Sequence, residues 1–283
     1  MAKLEYNLKN DTLFKMLFVK YPELLKRLVS ELLGIKFESI GKFDITNPEM
    51  SPESFGDKFC SLDINMTVDG QRVDLEIQVR DEGDYPERIL FYWAREYSTA
   101  LAEGEKYIDL PRTVIISIVD FKLFGCKEFH SEYRALEVTR HTELTDKMSL
   151  VFFELPKLPE LVSVDSGIEL WLTLFNAETE EELAKIDRLE VPIMKQAIEA
   201  YRSVSATPEF REIERLRSKA RHDEASALYN AEQKGRLEGK LEGKLERNRF
   251  IVKNAFQMNM PIDSIMKLTG LTHEEIQKLQ NAN

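Results

Sequence analysis

Cysteine is nearly absent from this 283-residue chain: Cys60 and Cys126 are the only two. That excludes a disulfide-rich scaffold and a four-cysteine zinc site, and His130, His141, His222 and His273 are scattered without zinc-ligand spacing. Both cysteines read as buried apolar side chains in or beside strands rather than as nucleophiles. Long apolar runs are lacking too, since no stretch approaches the ~18 apolar residues of a membrane span. The opening MAKLEYNLKNDTLFK has neither an apolar core nor a small-residue cleavage site, so a reducing cytoplasm is the expected compartment. Positive charge is in deficit: 39 basic against 50 acidic side chains leave −11, which excludes a uniformly basic nucleic-acid binder. No Ser-His-Asp or Cys-His arrangement is suggested, and the glycine-rich stretch lacks the lysine and Ser/Thr ending of a phosphate loop.

What is present is a core-forming composition, with 43% hydrophobic residues, and an uneven charge. Residues 211–253 hold 12 basic and 8 acidic side chains, whereas the first 210 hold 25 against 39, a balance of −14. An acidic body therefore carries a slightly basic tail, and SVSATP at Ser203 to Pro208 marks the break with small residues and a proline. Three parts are expected: a body over 1–205, a charged linker over 206–250 and a small helical end over 251–283.

In the body, Asp11 or Asn10 caps a helix with the apolar stripe Leu13, Phe14, Leu17 and Phe18, and a second helix runs from Pro22 to a stop at Gly34. A later helix is expected from Pro86 to about Glu103, ended by Gly104. TVIISIVDF reads as a fully buried strand, EYRALEV and MSLVFFEL as further strands, and Ile168 to Phe175 and Val191 to Tyr201 as helices. The order fits an α/β fold, a mixed sheet flanked by helices. In the tail, GRLEGKLEGKLE places Gly235, Gly239 and Gly243 four apart, which predicts at best a marginal helix or one stabilised by a partner. Phe250 to Leu279 reads as two or three short helices, the last begun by the capping box Thr272 and Glu275.

The strongest short signal is Asp69-Gly70 between two alternating runs, a two-residue hairpin turn. Leu62, Ile64, Met66 and Val68 share one face with Val73, Leu75 and Ile77; Asp63, Asn65 and Thr67 share the other with Asp74, Glu76 and Gln78. A two-residue turn sets Val68 opposite Gln71, so Asp63 falls opposite Glu76 and Asn65 opposite Asp74. Like charges there repel, since opposed Cβ atoms are ~5 Å apart. Two readings follow, a solvated polar face or a magnesium site made of carboxylate oxygens.

NDTLFKMLF, the aspartate strand, Asp74-Leu-Glu-Ile-Gln-Val79, YPERILFYWAREYSTAL, TVIISIVDF with FKLF, and SLVFFELPKL occur in order from Lys9 to Leu158. Together they resemble the PD-(D/E)XK nuclease family transposases, also called recombination-promoting (Rpn) nucleases. The resemblance implies a restriction-endonuclease-like core with an α-helical C-terminal extension, and divalent-metal-dependent hydrolysis of DNA phosphodiesters in recombination or in defence against foreign DNA. It implies a cofactor, Mg²⁺ with Mn²⁺ and Ca²⁺ as alternatives, held by Asp63 and Glu76. Gln78 stands where the generic motif has lysine; an amide orients a water but cannot take its proton.

By the same resemblance Asp11 is a candidate third metal ligand, beside its reading as a helix cap. Lys15, four residues on, is a candidate phosphate contact or simply solvated. On the helix after the hairpin, Arg88, Tyr92, Arg95 and Thr99 follow one stripe, opposite Leu90, Trp93, Tyr97 and Leu101, and Arg88, Tyr92 and Arg95 are candidate DNA contacts. The alternative is a surface stripe paired to Glu87, Glu96 and Glu103. The C-terminal MPIDSIMKLTGLTHEEIQKL has a helix-turn-helix pattern, yet His273-Glu274-Glu275 argues against tight groove binding, leaving a homo-oligomerisation or partner-docking tail as the other reading. The competing function class is a non-catalytic DNA- or protein-interaction module on a nuclease fold.

Overall fold

The computed structural model of the chain describes residues 2–47, 64–101, 104–160 and 163–281. The described residues separate into two compact units, Met1–Arg217 and Ser218–Asn283.

The first unit is built on a mixed sheet of β1 (Phe43–Ile45), β2 (Ile64–Val68), β3 (Gln71–Gln78), β4 (Thr113–Val119), β5 (His130–Tyr133) and β6 (Met148–Glu154). Their spatial order is β1-β2-β3-β4-β6-β5. Strands β1 to β3 form an antiparallel meander, β3, β4 and β6 run parallel, and β5 returns antiparallel to β6. The hairpin register is the one the turn demands: Val68 opposes Gln71, Asn65 opposes Asp74 and Ile64 opposes Leu75. Asp69 and Gly70 both adopt positive φ, 48° and 84°, as a tight two-residue turn with the strand twist requires. The Asp69 carboxylate also accepts from the backbone N–H groups of Gly41 and Lys42, which ties β1 to the turn.

Each face of the sheet has its own cover. Ile64, Met66, Val73, Leu75, Val114, Ile116 and Phe153 point to one face and form the large core with helices α1 (Asp11–Lys20), α2 (Pro22–Leu32), α4 (Gly167–Asn176), α5 (Glu180–Asp187) and α6 (Pro192–Ser205). On the other face Ile115, Val119, Leu150 and Phe152 pack under Tyr85 and Ile89 of α3 (Tyr85–Ser98). Helix α3 makes the crossover that a parallel β3–β4 pair needs. β4 is buried along its whole length, as a central parallel strand covered on both faces must be.

Several boundaries differ from the sequence reading. Asn10 is the N-cap of α1, accepting from Leu13 N at 2.9 Å, while Asp11 is the first helical residue. α3 stops at Ser98 instead of near Glu103. Its last carbonyls are taken by other groups: Thr99 Oγ1 and Arg72 Nη1 both donate to the Glu96 carbonyl, and Ser98 Oγ to that of Arg95. Of EYRALEV, only Glu132 and Tyr133 lie in β5; Arg134 onward leaves the strand. Helix α5 has no counterpart in the sequence pattern above, although Thr179 and Glu182 form a capping box at its start.

Cys126 is exposed, not buried, because it lies in the loop between β4 and β5 rather than in a strand. Cys60 lies outside the described residues.

The glycine repeat lies within one continuous helix, α7 (Pro208–Gln257). Strong helix formers (Leu, Glu, Lys, Arg) fill the positions between the glycines and offset part of their cost. In the second unit Val252, Ala255, Ile265 and Ile276 form a small core from the end of α7, α8 (Ile262–Thr269) and α9 (His273–Asn281). Gly270 closes α8 at φ +71° and the Thr272–Glu275 capping box opens α9. No described helix is long and apolar enough to cross a membrane.

Candidate active site

The polar face of the hairpin is not solvated. In β3 Asp74 and Glu76 are 8% and 6% exposed, because the face that carries them is the one α3 covers. The register sets Glu76 beside Ser117 of β4 and Gln78 beside Val119. Glu76 thus sits in the middle of the sheet, and Gln78 at the end where β3 stops and its side chain becomes half-exposed. Gln78 Nε2 donates to the Arg80 carbonyl at 2.8 Å, and the Gln78 carbonyl accepts from Asp120 N at 2.9 Å. Asp63, the predicted partner of Glu76, lies outside the described residues.

Two groups near this end of the sheet were not legible from spacing. Lys9, buried ahead of α1, reaches Asp120 Oδ2 at 2.8 Å and Glu178 Oε1 at 3.0 Å. Burial works against its charge, but the hydrogen bonds to Asp120 and Glu178 outweigh it and hold the ammonium above its ordinary pKa. This cluster joins the chain before α1, the end of β4 and the entry to α5 around the strand end. Arg217 grips Asp11 with both arms, Nη1 to Oδ1 at 2.6 Å and Nη2 to Oδ2 at 2.7 Å. The two residues are 206 positions apart, so no local signal announced the pair.

The remaining candidates fall in different surroundings. Lys15 is 3% exposed and belongs to the buried side of α1, so the solvated reading does not hold. On α3 the sheet-facing stripe is Tyr85, Ile89, Tyr92 and Trp93, with Trp93 Nε1 donating to the Thr113 carbonyl at 3.0 Å. Leu90, assigned above to the apolar stripe, is 47% exposed, while Tyr92 packs inward. The helical spacing holds with its phase shifted by one residue, since Ile89 rather than Leu90 meets β4. Arg95 is exposed on the outer side. Arg88 lies over the Tyr85 ring, its Cζ 5.0 Å from the centroid, and donates through Nη1 to Glu82 at 3.0 Å. Asp74 and Asn65 line a cavity of about 220 Å³ with Arg72, Glu96 and Thr113.

The described donor set near Glu76 is made of carboxylate and amide oxygens, the hard ligands that suit a small divalent cation and not zinc or copper. Among the described residues no group of three or more His, Cys, Asp or Glu converges as a complete metal cage. A partial set of carboxylates fits a cation that keeps most of its own waters.

A mixed sheet flanked by helices on both faces, with Glu76 and Gln78 two apart on a central strand, defines an α/β core. Residues 8–231 match the family described as PD-(D/E)XK nuclease family transposase, and the chain belongs to that family. Nucleases of this kind generally use divalent metal ions. No curated protein and no solved structure matches the chain.

Proposed function

We propose that this protein is a Mg²⁺-dependent endodeoxyribonuclease that hydrolyses DNA phosphodiesters, serving recombination or defence against foreign DNA. The observation that carries the reading is Glu76: a carboxylate held 6% exposed in the centre of the sheet, two residues before Gln78 at the strand end, within the matched family region. A carboxylate is costly to bury, and such groups persist where a charge partner or a cation repays the desolvation. Asp63 and Glu76 would hold the ion, which when bound lowers the pKa of a coordinated water and offsets charge on the phosphoryl group.

The chain's own residues then have separate tasks. Glu76 fixes the ion's position because β3 is hydrogen-bonded on both sides and cannot shift. Gln78, anchored by its backbone to Asp120 and by its amide to Arg80, orients the attacking water without taking its proton. Asp11, already engaged by Arg217, serves to fasten α1 to α7 rather than to ligate. Lys15, Arg88, Tyr92 and Arg95 remain proposed contacts to the DNA backbone, with exposed Arg95 the most accessible of them. Replacing Glu76 by alanine tests the assignment: cleavage is lost while the fold persists.

For the tail we propose self-association through α7. Leu237, Leu241 and Leu245 are all exposed on it. Each is preceded by a basic residue (Arg236, Lys240, Lys244) and followed by an acidic one (Glu238, Glu242, Glu246). Neighbours in a helix lie ~100° apart, so the leucine row has a basic row on one side and an acidic row on the other. Parallel pairing about a two-fold axis sets basic against acidic rows, whereas antiparallel pairing sets like against like. Charge complementarity therefore favours a parallel dimer.

A further inference from the structure

Arg88 has a hydrogen-bonding arrangement that its packing does not account for. Its guanidinium has two edges. Nη1 is used, donating to exposed Glu82 at 3.0 Å, while Nε and Nη2 are buried and have no hydrogen-bond partner among the described residues. Nε–H and Nη2–H together form the fork that receives two oxygens of one carboxylate or phosphate. A buried cationic fork without an acceptor is costly, and the Tyr85 ring beneath it satisfies the charge only through its face.

Its place in the fold matters. Tyr85 is fully buried and packs edge-on against Phe121 and Phe152 at centroid distances of 5.8 and 6.4 Å, in the same cluster as Val119. Val119 is the β4 neighbour of Gln78. Arg88, lying over Tyr85, is therefore on the Glu76 and Gln78 face of the sheet, toward the end where Gln78 becomes exposed. That end lacks the motif's lysine, because Gln78 is neutral.

We infer that the Nε–Nη2 fork of Arg88 is a phosphate-binding position, holding the two non-bridging oxygens of one substrate phosphate and supplying the positive charge that Gln78 does not. The inference rests on the nuclease reading above and specifies it: a guanidinium on α3, not a lysine on β3, meets the phosphate. Glu82 holds the other edge of the guanidinium and competes with the incoming anion.

The test uses a fluorescein-labelled duplex of 20 base pairs, bound in Ca²⁺ across a salt series, and cleaved in Mg²⁺ as a separate readout. Arg88→Gln is expected to weaken binding about tenfold and to reduce the salt slope by about one. Arg88→Lys keeps the charge but not the fork and recovers only part of the affinity. Glu82→Gln, at an exposed side chain, serves if Arg88→Gln fails to fold, and about threefold tighter binding is expected from removing one competing charge. A residue that merely packs on Tyr85 would change thermal stability and leave the salt slope alone. Unchanged affinity and slope in the Arg88 variants, or unchanged affinity in Glu82→Gln, overturns the inference. Arg88-dependent binding by a wild-type protein that never cleaves would leave the phosphate position standing and refute the nuclease; a wild type that neither binds nor cleaves refutes both.

Discussion

Single side chains carry the chemistry proposed for this chain, and two of them make separable predictions. Gln78 is held at both its amide and its carbonyl, and the role proposed for it is placement. Truncation in Gln78→Ala should lower the cleavage rate by roughly ten- to a hundredfold with little change in metal affinity, the expected cost of misplacing a reactant. Single-turnover kinetics with a metal titration checks this; an equal rate would remove Gln78 from the mechanism. Asp11 is a third exposed, so its ion pair with Arg217 is partly screened. Asp11→Asn should cost about 1 kcal/mol of stability and leave Mg²⁺ affinity unchanged. A large loss of metal binding with unaltered stability would return Asp11 to the ligand set.

At the level of elements, Tyr201 on α6 donates to the Tyr6 carbonyl at 2.6 Å and fastens the N-terminal segment to that helix. Burial first, and Glu180 second, push its phenol up to about 12. The unfolded chain deprotonates near pH 10, so between about 10 and 12 the unfolded state has lost a proton that the native state keeps. Stability is therefore whole below pH 10 and falls as pH rises through this window, by at most about 2.7 kcal/mol for a two-unit gap. Denaturant unfolding of wild type and Tyr201→Phe at pH 9 and pH 11.5 checks this: the phenylalanine variant should lose less over that interval, and equal losses would show that Tyr201 does not supply the dependence.

Much of this level was legible in the sequence. The hairpin register followed from Asp69-Gly70 and the alternation around it, because a period of two leaves one solution once the turn length is set. β4 and β6 could be read from continuous apolar runs. The cover over the polar face could not, because Asp74 and Glu76 look solvent-facing until α3 is known to cross that side. The phase of α3 was missed for a related reason: Leu90 and Ile89 fit an apolar stripe equally well, and only packing against β4 chooses Ile89. Arg217 with Asp11, and Lys9 with Asp120 and Glu178, are pairs made by tertiary folding, with no sequence spacing to betray them.

On the scale of the whole molecule, charge bears on the approach of a polyanion and the tail on assembly. With −14 over the first 210 residues, the body as a whole repels a polyanion, so the DNA cleavage proposed here requires a local cationic path and the proposed metal. The leucine row of α7 predicts assembly: sedimentation should show a dimer that the combined change of Leu237, Leu241 and Leu245 to Glu converts to monomer, and a monomeric wild type would refute the parallel pairing. The central claim is the metal-dependent nuclease. Incubating purified protein with supercoiled plasmid in Mg²⁺, Mn²⁺, Ca²⁺ or EDTA, beside Glu76→Ala with its circular dichroism unchanged, tests it most directly. Nicking that needs the metal and disappears in the variant by at least a hundredfold is the expected result. Equal cleavage by Glu76→Ala would contradict the account by removing Glu76 from the site, and no cleavage by wild type with any metal would contradict it by leaving the chain a binding module on a nuclease fold.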